Sequence, residues 1–238
     1  MHAETLRTVH DKSTHFFIEK PIASIDNMQE MMNFKEKEGS LYYVACPLRY
    51  NSVIQYIKHD INLSEVLAVR SISSSYLPDW RPSCDYRDTY SAHRAMGGGV
   101  GIDLIHEWDY LTYLFGQPEK CHCFIGKVSD LEIDSDDFAI YIATYQNMTV
   151  ELHLDYYGRK SIREVMVIMK DDTVIGDLVH NKITFLKKKR QIDFEEVRND
   201  YQIREIEHFL NMIVGEERQD QSDIGHALNV LRLTQGSV

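Results

Sequence analysis

The sequence of 238 residues is 43% hydrophobic and 26% charged, the proportions of a folded chain long enough to bury a substantial core. Its formal net charge of -11 argues against nucleic acid as a partner, because neutralising phosphates needs a basic surface. No apolar run approaches the roughly 20 residues that span a bilayer, and Met1-His2-Ala3-Glu4-Thr5-Leu6 has no signal-peptide core, so a cytoplasmic location with no membrane partner is expected.

In chain order, residues 2–12 carry helical periodicity through Leu6, Val9 and His10. Phe16-Phe17-Ile18 reads as a strand buried on both faces and ends in Glu19-Lys20-Pro21. Ser24 then caps a predicted helix through Met28, Met31, Met32 and Phe34, closed by Gly39. Leu41-Tyr42-Tyr43-Val44-Ala45 is a second apolar strand, completing one βαβ unit with a parallel pairing. A mononucleotide-binding half normally carries three strands, so this unit reads as incomplete.

From Pro47 the texture changes. A helix is predicted over residues 52–59 and a strand over 66–73, followed by an irregular aromatic and charged stretch up to Arg94. Gly97-Gly98-Gly99-Val100-Gly101 leads into a helix predicted from Asp103, with Leu104, Trp108, Leu111 and Phe115 on one face and Asp103, His106, Tyr110 and Tyr113 on another. Gly116 and Pro118 stop it. Alternating runs follow over 120–128, 138–145, 149–157, 163–170, 174–178 and 182–186, and their short connections favour an antiparallel sheet. Helices over 201–214 and 222–234 close the chain. Lys187-Lys188-Lys189-Arg190 reads as a solvated turn, and the four cysteines, with no paired C-x-x-C, as reduced structural thiols.

The glycine cluster is not a dinucleotide loop. The fingerprint needs a glycine where Ile102 stands, and Ser91 to Met96 is not a buried strand. His106 is the sharpest residue: its ordinary pKa of about 6.5 suits a general base, and Asp103 and Asp109 lie three positions to either side. A satisfied half-buried histidine and a metal ligand are the competing readings, the latter without an H-x-x-x-H or H-E-x-x-H partner. Lys20 sits at the C-terminal end of a predicted parallel strand, where open α/β sheets place ligands, although such a lysine is usually a solvated charge.

Taken together, Glu19-Lys20-Pro21, Arg49-Tyr50, Gly97-Gly98-Gly99 and the Asp103, His106, Asp109 series resemble the Gfo/Idh/MocA family of NAD(P)-dependent sugar oxidoreductases. The resemblance implies an α/β fold with an α+β C-terminal part. Residues 1–46 would be a remnant of the dinucleotide-binding Rossmann domain. Residues 47–238 would be a substrate and oligomerisation domain with a large, mostly antiparallel open sheet and flanking helices. It implies Lys20, His106 and Asp103 as catalytic residues, His106 taking the hydroxyl proton as hydride leaves the same carbon. Glu19, Lys20, Pro21, Trp80 and Arg81 would contact the cofactor, NAD or NADP. Arg49, Tyr86, Arg87, Asp103 and His106 would hold a sugar or sugar-nucleotide substrate, and no metal is implied. His2-Ala3-Glu4 looks like the end of a family segment bearing a histidine. Asp103 precedes His106 by three positions where many members have four, and D-L-x-H-E-x-D-Y resembles a subgroup associated with surface-polysaccharide sugars. The family's first strand, G-x-G-x-x-G loop and next unit, about 60–80 residues, have no counterpart. An N-terminally truncated enzyme impaired in cofactor binding, self-associating through its sheet, is therefore expected. The alternatives are a non-catalytic oligomerisation or regulatory remnant and, more distantly, a metal-dependent hydrolase using Asp103, His106 and Asp109.

Overall fold

The computed structural model describes residues 2–217 and 222–236; the His2 side chain lies outside the described set. Helix α1 (His2–Val9), strand β1 (His15–Ile18), helix α2 (Met28–Met32) and strand β2 (Leu41–Val44) form the opening unit. β1 and β2 pair in parallel from His15↔Leu41 to Ile18↔Val44. Aromatic pairs hold both faces of this two-stranded sheet: Phe16 stacks on Tyr42 at 4.6 Å and Phe17 on Tyr43 at 5.3 Å. α2 is shorter than the sequence predicts. Ser24 accepts from the Asn27 N–H through both its carbonyl and its hydroxyl, so it closes a separate turn and the α-helix begins only at Met28.

A 3-10 turn (Pro47–Tyr50) leads to helix α3 (Ser52–Asp60), capped by Asn51, whose side chain accepts from the Val53 N–H at 3.0 Å. The main sheet then takes β3 (Val66–Tyr76), β4 (Lys120–Gly126), β5 (Phe138–Thr144), β6 (Thr149–Asp155), β7 (Tyr157–Met169), β8 (Thr173–Asp177), β9 (Lys182–Phe185) and β10 (Arg190–Asp193). The spatial order is β10-β9-β8-β7-β3-β6-β5-β4, and β3–β6 is its parallel pair. The strand predicted over 149–157 ends at Asp155, because the Tyr156 N–H turns to the Asp137 carbonyl and its own carbonyl to the Leu77 N–H. β10 was not predicted: the chain reverses at the basic run, where Lys189 has φ +50, and Arg190 re-enters opposite Phe185 in a strand almost wholly exposed, which leaves no hydrophobic alternation to read.

Strand periodicity divides the sheet into two faces. Val69, Tyr141, Val150, Leu152, Val165 and Val174 are buried on one. Helices α3, α4 (Val100–Asp103) and α5 (His106–Phe115) lie on that side, with Trp108 edge-on to Tyr141 at 5.4 Å. The other face presents Arg70, Ile72, Ile140, Ile142, Glu151 and Met166 to an open concavity. Helices α6 (Asp200–Val214) and α7 (Ile224–Leu233) return to the opening unit: Phe209 packs on Phe17 at 5.3 Å, and the Val44 N–H donates to the Ser222 carbonyl. This return brings the C-terminal ends of β1 and β2 against the start of α5.

Candidate active site

The site is built where the glycine-led segment breaks its helix. Gly97 and Gly99 take φ of +84 and +139, which favours glycine, and α4 runs for only four residues. Leu104 and Ile105 then interrupt it before α5 starts at His106. The single helix predicted from Asp103 is therefore two, and Asp103 and His106 do not share a continuous helical face. The break leaves the Asp103 carbonyl without a helical partner, and Lys20, at the end of β1, donates to it at 2.9 Å. Burial lowers the Lys20 pKa to about 8, with Asp103 opposing the shift.

His106 is half-buried beside this lysine. Among the described residues neither of its ring nitrogens has a hydrogen-bond partner, and neither is sealed from water. Burial, followed by the positive charges of Lys20 and Arg163, holds its pKa well below the ordinary value; Asp109 opposes them. The ring is neutral at neutral pH, the form that accepts a proton.

Asp109 is set by Arg49, which donates from Nε (2.8 Å) and Nη2 (2.6 Å). Burial would raise the Asp109 carboxyl, but Arg49 and His226 more than offset it and keep it ionised. Arg49 is only 1% exposed, so its guanidinium positions Asp109 from within the core. The crevice bordered by Lys20, Pro21, His106, Asp109 and His226 encloses about 20 Å3, room for a water molecule and not for a sugar ring. A substrate must approach from the open side.

Asp103 is buried, and its Oδ2 accepts from the Tyr156 hydroxyl at 2.6 Å. Trp80 packs edge-on to Tyr156 at 5.3 Å and donates to Ser75; Arg81 lies 5.5 Å over the Tyr90 ring. Trp80, Arg81 and Tyr86 line a second small cleft, joined to Asp103 through Tyr156. Glu19 is exposed beside Lys20. Arg87 stands apart, held by Asp85 and Glu132 at 2.7 Å each.

Sequence reasoning missed Tyr156, Glu107, Arg163 and His226. Arg163 pairs with Glu107, the residue after His106, from Nε (2.8 Å) and Nη2 (2.7 Å). A signal for it was present: Arg163 falls in phase with the inward Val165 and Val167, a charge at a core position. Tyr156 lies between strands and His226 in a helix first turn, where spacing says nothing.

For a nicotinamide cofactor the described residues offer a partial fit. Lys20, Pro21 and His106 meet where a reacting ring and hydroxyl could be held. The glycine cluster offers no phosphate cradle, since a side chain at Gly98 would meet the carbonyl oxygens of Tyr90, Ser91 and His93 at 2.2 to 2.9 Å. Those are acceptors, opposite in polarity to the N–H groups that bind phosphate. Among the described residues no three His, Cys, Asp or Glu side chains are grouped to hold a metal ion, and no helix is long and apolar enough to cross a membrane.

Residues 55–171 match the family profile described as the GFO/IDH/MocA C-terminal domain. No curated protein sequence matches the chain. Among solved structures, it is similar to UDP-N-acetylglucosamine 3-dehydrogenase GnnA from Acidithiobacillus ferrooxidans, at 18% identity and a TM-score of 0.76 over 98% of this chain and 73% of that one. The WlbA dehydrogenase from Bordetella pertussis, in complex with NADH and UDP-GlcNAcA, matches at 16% identity and 0.77, covering 99% and 72%. Levoglucosan dehydrogenase in complex with NADH matches at 14% and 0.82, covering 99% and 73%. At these identities the likeness establishes the fold.

Proposed function

We propose, for a chain that belongs to the GFO/IDH/MocA family through residues 55–171, that the Lys20–His106 crevice is the proton-transfer centre of an NAD(P)-dependent oxidoreductase acting on a hydroxyl of a sugar or sugar nucleotide. The observation that carries this is the state of His106: neutral, without a partner at either nitrogen among the described residues, and beside Lys20 in one crevice. Such a histidine, half-buried yet unbonded, is poised to bond something that is not protein. The names of the similar structures, two sugar-nucleotide enzymes and levoglucosan dehydrogenase, support the substrate class.

Lys20 uses one N–H on the Asp103 carbonyl and keeps two for the substrate oxygen, lowering the cost of its developing negative charge. His106 takes the hydroxyl proton, and Asp109, fixed by Arg49, stabilises the imidazolium so formed. Asp103, steadied by Tyr156, carries the substrate side of the site. The nicotinamide, when bound, supplies hydride acceptance from the same carbon. Because the glycine cluster provides no phosphate cradle, this chain alone binds the dinucleotide weakly, and micromolar NADH binding by calorimetry would contradict that. The outer sheet face, where Phe124 and Ile142 are exposed, is the surface for self-association.

The test is oxidation of a panel of UDP-sugars and free sugars with NAD+ and NADP+. His106→Asn is expected to lower the rate about 100-fold or more while leaving the fold intact. A His106→Asn chain as active as the parent would remove this assignment.

A further inference from the structure

The Asp109 carboxylate is held from two elements besides its own helix. Arg49, on the 3-10 turn before α3, donates to both of its oxygens. His226, in the first turn of α7, brings its Nε2 to 3.5 Å from Oδ1. The same Nε2 lies 3.3 Å from the hydroxyl of Thr112, three positions after Asp109 on α5. The backbone of His226 is fixed in turn, because its N–H donates to the Asp223 cap at 2.6 Å.

These partners set the tautomer of His226. Ionised Asp109 only accepts. The Thr112 hydroxyl lies 2.9 Å from the Trp108 and Asp109 carbonyls; its proton goes there, which leaves its oxygen to accept as well. Nε2 therefore carries the proton and donates to α5. Nδ1 has no hydrogen-bond partner among the described residues and is not sealed from water.

The ring also stands in a wall. His226 and Asp223 border the crevice of Lys20, His106 and Asp109, and they border an open polar cleft of about 380 Å3 shared with Thr112, Gln117 and Asn229. The charged and titratable groups that face the ring are Asp109 with Arg49 beside it, Asp223 of its own cap, and Lys20 and His106 in the crevice. Two histidines thus stand around one carboxylate. One, His106, keeps both nitrogens free of protein partners, and the other spends its N–H on Asp109.

We propose that His226 is a positioning residue for proton transfer at His106, holding the Asp109 carboxylate toward the crevice that the two histidines share. The proposal deepens the oxidoreductase reading and rests on it for the reaction. Without the bond from Nε2, Asp109 keeps the Arg49 fork and is free to tilt about it. A carboxylate that tilts stabilises the His106 imidazolium less well. His226 does this without touching the substrate.

Two variants separate the bond from the bulk. His226→Gln keeps an N–H donor in the wall, and His226→Leu fills the wall without one. The first readout needs no substrate or cofactor: the 15N shifts of the His106 ring in the full chain at pH 7 give the shares of its two neutral tautomers. A fixed Asp109 favours one of them, by about fivefold or more in the parent and in His226→Gln. In His226→Leu that bias is expected to fall about threefold or more. The second readout uses a UDP-sugar that the parent oxidises. His226→Leu is expected to lower kcat about tenfold with KM within about twofold, and His226→Gln to recover most of the loss. The same tautomer shares in the parent and the folded His226→Leu chain overturn the proposal. So does a kcat that His226→Leu leaves unchanged or that His226→Gln fails to restore. A parent that oxidises nothing in the panel removes the reading of the reaction, while the tautomer shares still decide whether His226 acts on His106 through Asp109.

Discussion

The opening unit and the eight-stranded sheet reach stability by different routes. The sheet brings its own alternation: inward valines, leucines and alanines lie along β3, β5, β6 and β7, each strand paired to neighbours close in sequence or one crossover away. The unit of β1 and β2 has two strands and cannot stand by itself. Its Phe16–Tyr42 face is packed by His10 and Phe34 of the same unit, but its other face is closed from the far end of the chain by Phe209 on Phe17, and the Val44 N–H bonds the Ser222 carbonyl. The site lies on the seam between these regions. Lys20 comes from one, His106 from the other, and Arg49–Asp109 ties them together.

Breaking that tie should have the largest effect. Asp109→Ala leaves Arg49 charged and buried, an error that costs about 3–5 kcal/mol, read as a fall in the urea midpoint. If the loss is below about 1 kcal/mol, the pair behaves as a surface bridge and the seam is held elsewhere. Next is Phe209→Ala, expected to cost about 3 kcal/mol. Hydrogen exchange should rise in β1 and β2 while β5 and β6 stay protected; uniform loss of protection would show that the two regions unfold as one.

Glu205 gives a pH-dependent probe of the same seam. It is buried and accepts from the Cys46 N–H (2.5 Å) and the Tyr43 hydroxyl (3.2 Å). Burial raises its carboxyl from 4.5 to about 7, those hydrogen bonds opposing the shift. Between these values the folded chain binds more protons than the unfolded one, so this group's contribution falls as pH rises through the window. His106, lowered by burial and by its cationic neighbours, slopes the other way, favouring the fold as pH rises toward 6.5. The difference between parent and Glu205→Gln therefore isolates the carboxyl. The variant should gain in relative melting temperature from pH 5 to 7.5, since glutamine keeps the acceptor and drops the ionisation. A constant difference across that range would contradict the buried carboxyl. The smallest stability effect is expected from Ile142→Lys on the outer sheet face, within about 0.5 kcal/mol for the monomer. Light scattering should show self-association weakened; unchanged assembly would move the interface off this face.

The parts that could be read early follow from local rules. Phe16 to Ile18, the alternating runs around Tyr141, Leu152 and Val167, and the helix stop at Gly116 each depend on periodicity or a single backbone preference. Lys20 and His106 stood out only together, through a resemblance spread across the chain. Where local signals compete, the outcome differs: Ser24 spends its hydroxyl on a turn, the helix expected from Asp103 breaks at Leu104, and β10 is almost wholly exposed.

What the sequence determined by itself is most of the elements, with a lysine at the end of an apolar strand and a histidine in a glycine-led helical segment, because propensity and hydrophobic phase act over a few residues. What only the tertiary structure decided is which charges are covered and which are open. Arg49 looks like a ligand for substrate and spends its Nε and Nη2 on Asp109. Arg163 looks like an interruption in a core strand and pairs with the buried Glu107. Burial and partner choice are properties of residues far apart in the chain, and they come into being only when α5, α7 and β7 close around the ends of β1 and β2.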